Sequence, residues 1–110
     1  MPSKTFTQKI YQLTEKIPKG RVTTYKILAE TAGTKAYRAV GQALRCNPYS
    51  PIVSCHRVVK SDGSIGGFSG KDNPKSKEVK RKIMMLIREG IKVKNNKIVD
   101  FEKVLISKIK

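Results

Sequence analysis

The chain has no tryptophan, few acidic residues, 2 cysteines and a single histidine. It also lacks any run of about 18 apolar residues, so no membrane-crossing helix and no membrane partner are expected. Cys46 and Cys55 are too few for a disulfide scaffold. With one histidine they fit no common zinc spacing, and no metal site is expected. The first residues, Met1 to Phe6, lack the apolar stretch of a secretory signal, which makes a cytoplasmic protein the expectation. Scarcity of acid leaves 8 Asp and Glu against 24 Lys and Arg, a formal charge of +16. Such a surface either keeps a small protein soluble, as in heat-adapted proteins, or attracts a polyanion, of which DNA and RNA are the usual ones. Charge alone does not choose between these readings.

At 110 residues the chain reads as one domain, 1–110, able to bury one modest core. No repeat, low-complexity tract or linker divides it. Phe6, Ile10, Leu13 and Ile17 lay an apolar stripe along a first helix, with Thr5 and Gln8 as a capping box and Pro18-Lys19-Gly20 as its end. Arg21 to Thr23 reads as extended. A second helix is predicted from Thr24 to Gly33 with Ile27, Leu28 and Ala32 inward, and a third from about Lys35 to Arg45 with Ala39, Val40, Ala43 and Leu44 apolar. Two short helices around a glycine turn resemble a helix-turn-helix, which occurs both in DNA readers and as a plain packing unit. Asn47 to Pro51 is irregular; Ile52 to Val59 reads as extended and turns at Ser61-Asp62-Gly63-Ser64 into Ile65, a small wing. A fourth helix follows, with Pro74 in its first turn and Val79, Ile83, Leu86 and Ile87 inward up to Gly90. Ile91 to Val99 is predicted as a hairpin turning at Asn95-Asn96, and Phe101 to Ile109 as a terminal helix. The fold class is thus mostly α with small β-hairpins, a winged helix-turn-helix.

The chemistry-bearing stretch is Ser54-Cys55-His56-Arg57-Val58-Val59. A thiol is a strong nucleophile only as thiolate, a form favoured by nearby imidazole or positive charge. In an extended chain, however, Cys55 and His56 would point to opposite faces, so general-base work needs a turn or an intervening water. The residues alone better describe a buried structural cysteine beside a hydrogen-bonded core histidine.

Cys55-His56-Arg57-Val58-Val59, followed by Ser61, Gly63 and Gly66-Gly67-Phe68-Ser69-Gly70, resembles the active-site segment of O6-alkylguanine-DNA alkyltransferases. Gly20-Arg21-Val22-Thr23-Thr24-Tyr25 resembles that family's entry to its helix-turn-helix, and Arg38-Ala39-Val40-Gly41 its recognition helix. Arg45-Cys46-Asn47-Pro48 sits at the family's spacing, eight residues from Asn47 to Cys55, and Glu89-Gly90 ends the next helix as the family does. The likeness runs from about Phe6 to Val93.

The resemblance implies a DNA repair protein that flips O6-alkylguanine out of duplex DNA and keeps the alkyl group on its own cysteine, once per molecule. It implies Cys55 as nucleophile, His56 as proton acceptor through a water, Glu89 as the residue holding His56, and Asn47 as a brace between the reactive turn and the recognition helix. Arg38 would fill the space of the extruded base, and Tyr25 would press on the target phosphate and line the pocket. Ala36, Ala39 and Ala43 are small enough for close approach to a minor groove, while Arg45, Phe68 and Ser69 complete the DNA-facing set. From the residues alone, Arg38 reads as a solvated helix arginine, Tyr25 as a half-buried aromatic and Glu89 as a helix-end surface acid. Double-stranded DNA carrying O6-alkylguanine is the implied partner, of a monomer that needs no metal or organic cofactor.

The chain departs from that family's pattern in several places. At 110 residues it is not expected to hold the N-terminal domain common in the family. Ser54 stands where proline usually precedes the nucleophile, Phe68 replaces a tyrosine, Cys46 replaces a small residue, and Lys71 to Lys75 forms a basic loop. Two other functions are compatible with part of the pattern: a non-catalytic alkyltransferase-like protein that binds damaged DNA and recruits repair partners, and a winged-helix transcription regulator. Proteins of the former kind are similarly short but replace the cysteine; the latter would leave the Cys55 segment without purpose.

Overall fold

The computed structural model describes residues 6–45, 54–66 and 76–109. Expectations at Thr5, Cys46, Asn47, Phe68, Ser69 and the loop 71–75 with Pro74 lie outside the described residues. Helix α1 spans Phe6–Glu15 and buries Ile10 and Thr14. Its last turn tightens, with Lys16 and Ile17 N–H donating to Leu13 and Thr14 carbonyls three residues back, and Ile17 is carried inward just beyond the helix. Phe6, expected inward, is 37% exposed. Gly20 turns the chain at φ 86°, a left-handed value suited to glycine. Strand β1, Thr23–Thr24, runs directly into helix α2, Tyr25–Thr31, because the Thr24 hydroxyl caps it by accepting from Ile27 N–H at 3.1 Å. Ala29 is fully buried on α2 with Leu28, whereas Ile27 is only half-buried. Gly33 ends the turn at φ 80°, and helix α3 spans Tyr37–Arg45 with Val40, Ala43 and Leu44 inward. The expected helix-turn-helix is therefore present, packed against α1.

Past Ser54 the expected wing takes another form. Cys55–Arg57 is a single 3₁₀ turn and not a strand. Strand β2, Val58–Val59, then pairs parallel with β1, Thr23 opposite Val58 and Thr24 opposite Val59. Neighbouring residues on a strand face opposite ways, and each valine enters a different core. Val58 joins Cys55, Ile10, Ile17, Leu28, Val40 and Leu44; Val59 joins Val22, Ile65, Val79, Leu86, Ile91 and Ile98. The two-stranded sheet is the partition between them.

Helix α4, Lys77–Arg88, is capped by Ser76, whose hydroxyl accepts from Val79 N–H at 3.2 Å. Val79 and Leu86 are buried, but Ile87, expected inward, is 48% exposed and Lys82 is 0% exposed. The hairpin of β3, Val93–Lys94, and β4, Lys97–Ile98, turns at Asn95 and Asn96 as expected, both left-handed at φ 51° and 62°. The residues read as their own wing pair with this hairpin: Ser64 bridges Lys97, and Ile65 N–H donates to the Asn96 carbonyl at 3.0 Å. The terminal helix α5 is shorter than expected, Phe101–Val104. It stops because Leu105 turns extended and bridges Val22, with Ile106 N–H donating to the Val22 carbonyl at 2.7 Å. The Arg21 guanidinium donates to the carbonyls of Val104 and Leu105, which satisfies the helix end. Among the described residues no helix is long and apolar enough to cross a membrane.

Candidate active site

Ser54 and Thr14 fix the start of the reactive turn. The Ser54 hydroxyl, 1% exposed, donates to the Thr14 carbonyl at 3.0 Å, and the Thr14 hydroxyl donates to Ile10 at 2.7 Å. A side-chain bond to the end of α1 thus holds the position where the resembling family has proline. Cys55 follows as a free thiol, 7% exposed and packed in the helical core. Because Cys55 to Arg57 turns, the objection to an extended Cys–His pair is removed.

His56 and Arg57 both reach the end of α4. His56 Nε2 lies 2.9 Å from Glu89 Oε2. Arg57 donates from Nε to Oε1 at 2.9 Å and from Nη2 to Oε2 at 2.6 Å, a bidentate pair. Its Nη1 donates to the Ile17 carbonyl at 2.8 Å, which ties this corner to the end of α1. Burial pushes the Glu89 carboxyl up, but hydrogen bonds from Arg57 and then His56 outweigh it and hold it at about 2. Burial lowers His56, opposed by the bond to and charge of Glu89 and aided by Arg57 and Lys82. An ionised carboxylate only accepts, so Nε2 carries the hydrogen. The neutral ring then keeps a lone pair on Nδ1, which has no hydrogen-bond partner among the described residues.

Lys82 was not found by sequence reasoning. Its Nζ donates to the carbonyls of Val58 at 2.7 Å and Ile65 at 2.6 Å, and it lies 5.9 Å from the Tyr25 ring centroid. Burial lowers its pKa to about 7, against an upward pull from Cys55 and with a push from Lys60. A charged amine here and a thiolate at Cys55 favour one another. One signal was available: Val79, Lys82 and Leu86 step by 3 and 4, so the lysine stands in phase with the buried stripe. Tyr25 is half-buried against the helical core, and a Cβ on Gly66 would lie 3.6 Å from its hydroxyl.

The candidate site residues fall into two groups. Cys55, His56 and Glu89 come together, joined by Arg57 and Lys82. Ala36, Arg38, Ala39 and Arg45 are exposed along α3 and the turn before it. Ala43 does not join them: it is 7% exposed, and its carbonyl accepts from the Tyr11 hydroxyl at 2.8 Å. It faces α1, since Val40, Ala43 and Leu44 form the inward side of α3. Asn47, Phe68 and Ser69 lie outside the described residues.

Comparison with known proteins gives a consistent picture. The family described as 6-O-methylguanine DNA methyltransferase, DNA binding domain, matches residues 5–91. The methylated-DNA–protein-cysteine methyltransferase of Pyrobaculum aerophilum is 50% identical over 68 residues, 62% of this chain and 42% of that protein. The chain spans between 31% and 52% of the length of its first curated relatives. The structure of Mycobacterium tuberculosis OGT in complex with DNA gives a TM-score of 0.69 at 32% identity, covering 80% of this chain and 51% of that one. S. pombe Atl1 in complex with damaged DNA containing O6-carboxymethylguanine gives a TM-score of 0.75 at 27% identity, covering 96% of this chain and 98% of that one.

Proposed function

The chain belongs to the family of the 6-O-methylguanine DNA methyltransferase DNA-binding domain, and on that premise we propose that it repairs duplex DNA by taking the alkyl group of O6-alkylguanine onto Cys55. The observation that carries this reading is a free, buried thiol at the head of a turn whose next residue, His56, is held by an ionised Glu89. The thiol proton passes through a water to His56 Nδ1. The thiolate attacks the alkyl carbon; an S–C bond forms, the C–O6 bond breaks, and guanine leaves with the electron pair and takes up a proton. The charge of Lys82 favours the thiolate, and the resulting thioether is stable, so each molecule acts once. No further co-reactant enters the reaction.

A paired base must leave the stack to reach a buried thiol. Arg38, exposed on α3, fills its place, and the small Ala36 and Ala39 let the helix approach a minor groove whose readout is nearly blind to sequence. Arg45 contacts the backbone, Tyr25 lines the pocket with Phe68 and Ser69, and Asn47 braces the turn. The protein works as a cytoplasmic monomer. A second reading, a non-catalytic binder of alkylated DNA, is supported by the likeness to Atl1 over almost the full length of both chains. Incubation of excess protein with O6-methylguanine duplex, followed by peptide mass mapping, decides between them. Methyl on Cys55 is expected. Folded, duplex-bound protein with no methyl on either cysteine favours the binder, and methyl on Cys46 overturns the assignment.

A further inference from the structure

The hairpin β3–β4 lies beyond residues 5–91, and the proposed reaction gives it no task. From Lys92 to Val99 it carries Lys92, Lys94 and Lys97 and no acid. Val93 and Ile98 pair on one face and pack inward, so Lys94 and Lys97 pair on the other, both exposed. Like charges directly opposite on a hairpin are unfavourable, and two strands alone are marginal. Yet this pair is held rigidly. Ile98 N–H donates to the Gly63 carbonyl at 2.9 Å, Val99 N–H to Lys92 at 2.8 Å, and Ile65 N–H to Asn96 at 3.0 Å. A Cβ on Gly63 would meet the Phe101 ring at 3.1 Å, so the turn sits directly on α5.

Asp62, whose carboxylate feels the charge of Lys97, already accepts from the Ser64 N–H at 2.9 Å and hydroxyl at 2.7 Å. Among the described residues none of Lys60, Lys92, Lys94 and Lys97 makes an ion pair. Lys60, also exposed, places its side chain beside Gly66, which adjoins Tyr25. The lysines therefore extend from the edge of the candidate site out along a hairpin whose backbone is fixed, and none is ion-paired among the described residues, Lys97 acting on Asp62 through charge alone.

Resting on the function proposed above, we infer that the β3–β4 hairpin is a second DNA contact, in which Lys94 and Lys97, flanked by Lys92 and Lys60, hold backbone phosphates beside the nucleotide presented to Cys55. An anion between the two ammonium groups turns an unfavourable pair into a favourable one. The contact is with phosphate, so it adds affinity and orientation without sequence preference.

The test is the salt dependence of binding by the full chain to undamaged and O6-methylguanine duplexes. Lys94→Gln with Lys97→Gln should lower the slope by about two, and each single change by about one. Between about 50 and 200 mM salt the double variant should lose roughly ten-fold less affinity than the parent. Lys94→Arg with Lys97→Arg should keep the parent slope. The glutamine pair should melt no lower than the parent, because a like-charge pair has been removed. An unchanged slope on both duplexes overturns the inference, as does a slope that falls only on single strands. A weakened binder that also melts lower, with no rescue by arginine, makes the lysines structural and overturns it too. Failure of methyl transfer with the slope change intact overturns the repair reading alone.

Discussion

The molecule keeps polar groups in two settings that follow opposite rules. Beneath α4, Lys82, His56, Glu89 and Arg57 are buried or nearly so, and their bonds reach two carbonyls, one carboxylate and the end of α1. On α3 and the turn before it, Ala36, Arg38, Ala39 and Arg45 are exposed. The first group is wired into the fold, so altering it changes stability and chemistry together. The second is exposed, so altering it should change DNA handling more than stability. Four substitutions sharpen or break that contrast, ranked by their expected effect on stability.

Lys82→Met should have the largest effect. It leaves the Val58 and Ile65 carbonyls without their donor, which at about 1–3 kcal/mol per unsatisfied group suggests a loss of about 2–6 kcal/mol. Acting against this, an apolar replacement escapes the cost of a buried charge. The comparison is therefore made by urea unfolding near pH 9, where an amine held at about 7 is mostly neutral. Lysine lowered in the fold binds fewer protons folded than unfolded between about 7 and its ordinary 10.5. Stability of the parent should thus rise with pH across that window, by at most about 1.4 kcal/mol per pH unit, and Lys82→Met should remove this component of the rise. If the variant is as stable as the parent at pH 9, the buried network is not a unit.

Glu89→Gln should follow, costing about 1.5–3 kcal/mol through the charge-assisted bonds from Arg57. Because the carboxyl is depressed to about 2, its contribution is present above the ordinary 4.5 and fades as pH falls from there toward 2. Melting curves at pH 6 and pH 3 should converge between parent and variant; a constant gap would mean that charge is not what matters. Ser54→Ala should cost about 1 kcal/mol, the worth of one hydrogen bond, and slow transfer by loosening the turn. Single-turnover kinetics at the parent rate would show that the bond does not position Cys55.

Arg38→Ala should change stability by less than about 0.5 kcal/mol, as an exposed residue does. It should nonetheless slow transfer from duplex far more than from free O6-benzylguanine. Equal slowing on both would place Arg38 with the fold and erase the contrast.

The same contrast decides what could be read in the sequence. Periodicity located α1 to α4, and Asn95-Asn96 located the last hairpin, because these are local signals. Periodicity put Ala39 with Val40, Ala43 and Leu44, yet Ala39 is exposed; the outward placing of Ala36, Arg38 and Ala39 came from the family resemblance. The turn at Cys55–Arg57 is too short to leave a period, and the parallel pairing of β2 with β1 joins segments far apart in the chain. Lys82 was hidden by its own type: a lysine within an apolar stripe is taken as solvent-facing, and Ile87 was turned inward in its place. Its burial depends on Val58 and Ile65 arriving from elsewhere with carbonyls to spare. The early end of α5 likewise depends on Val22.

Lys82 grips main-chain oxygens, and this divides mutational freedom unevenly. Any residue at 58 or 65 brings a carbonyl with it, so those positions can drift among apolar types without losing the bond. The donor has no such insurance, because it is a side chain and only lysine at this position supplies it. Even arginine, a mild exchange on most surfaces, would press a broad planar fork into space shaped for a single amine. Lineages descending from this chain should therefore vary in the walls of both cores while position 82 stays nearly frozen.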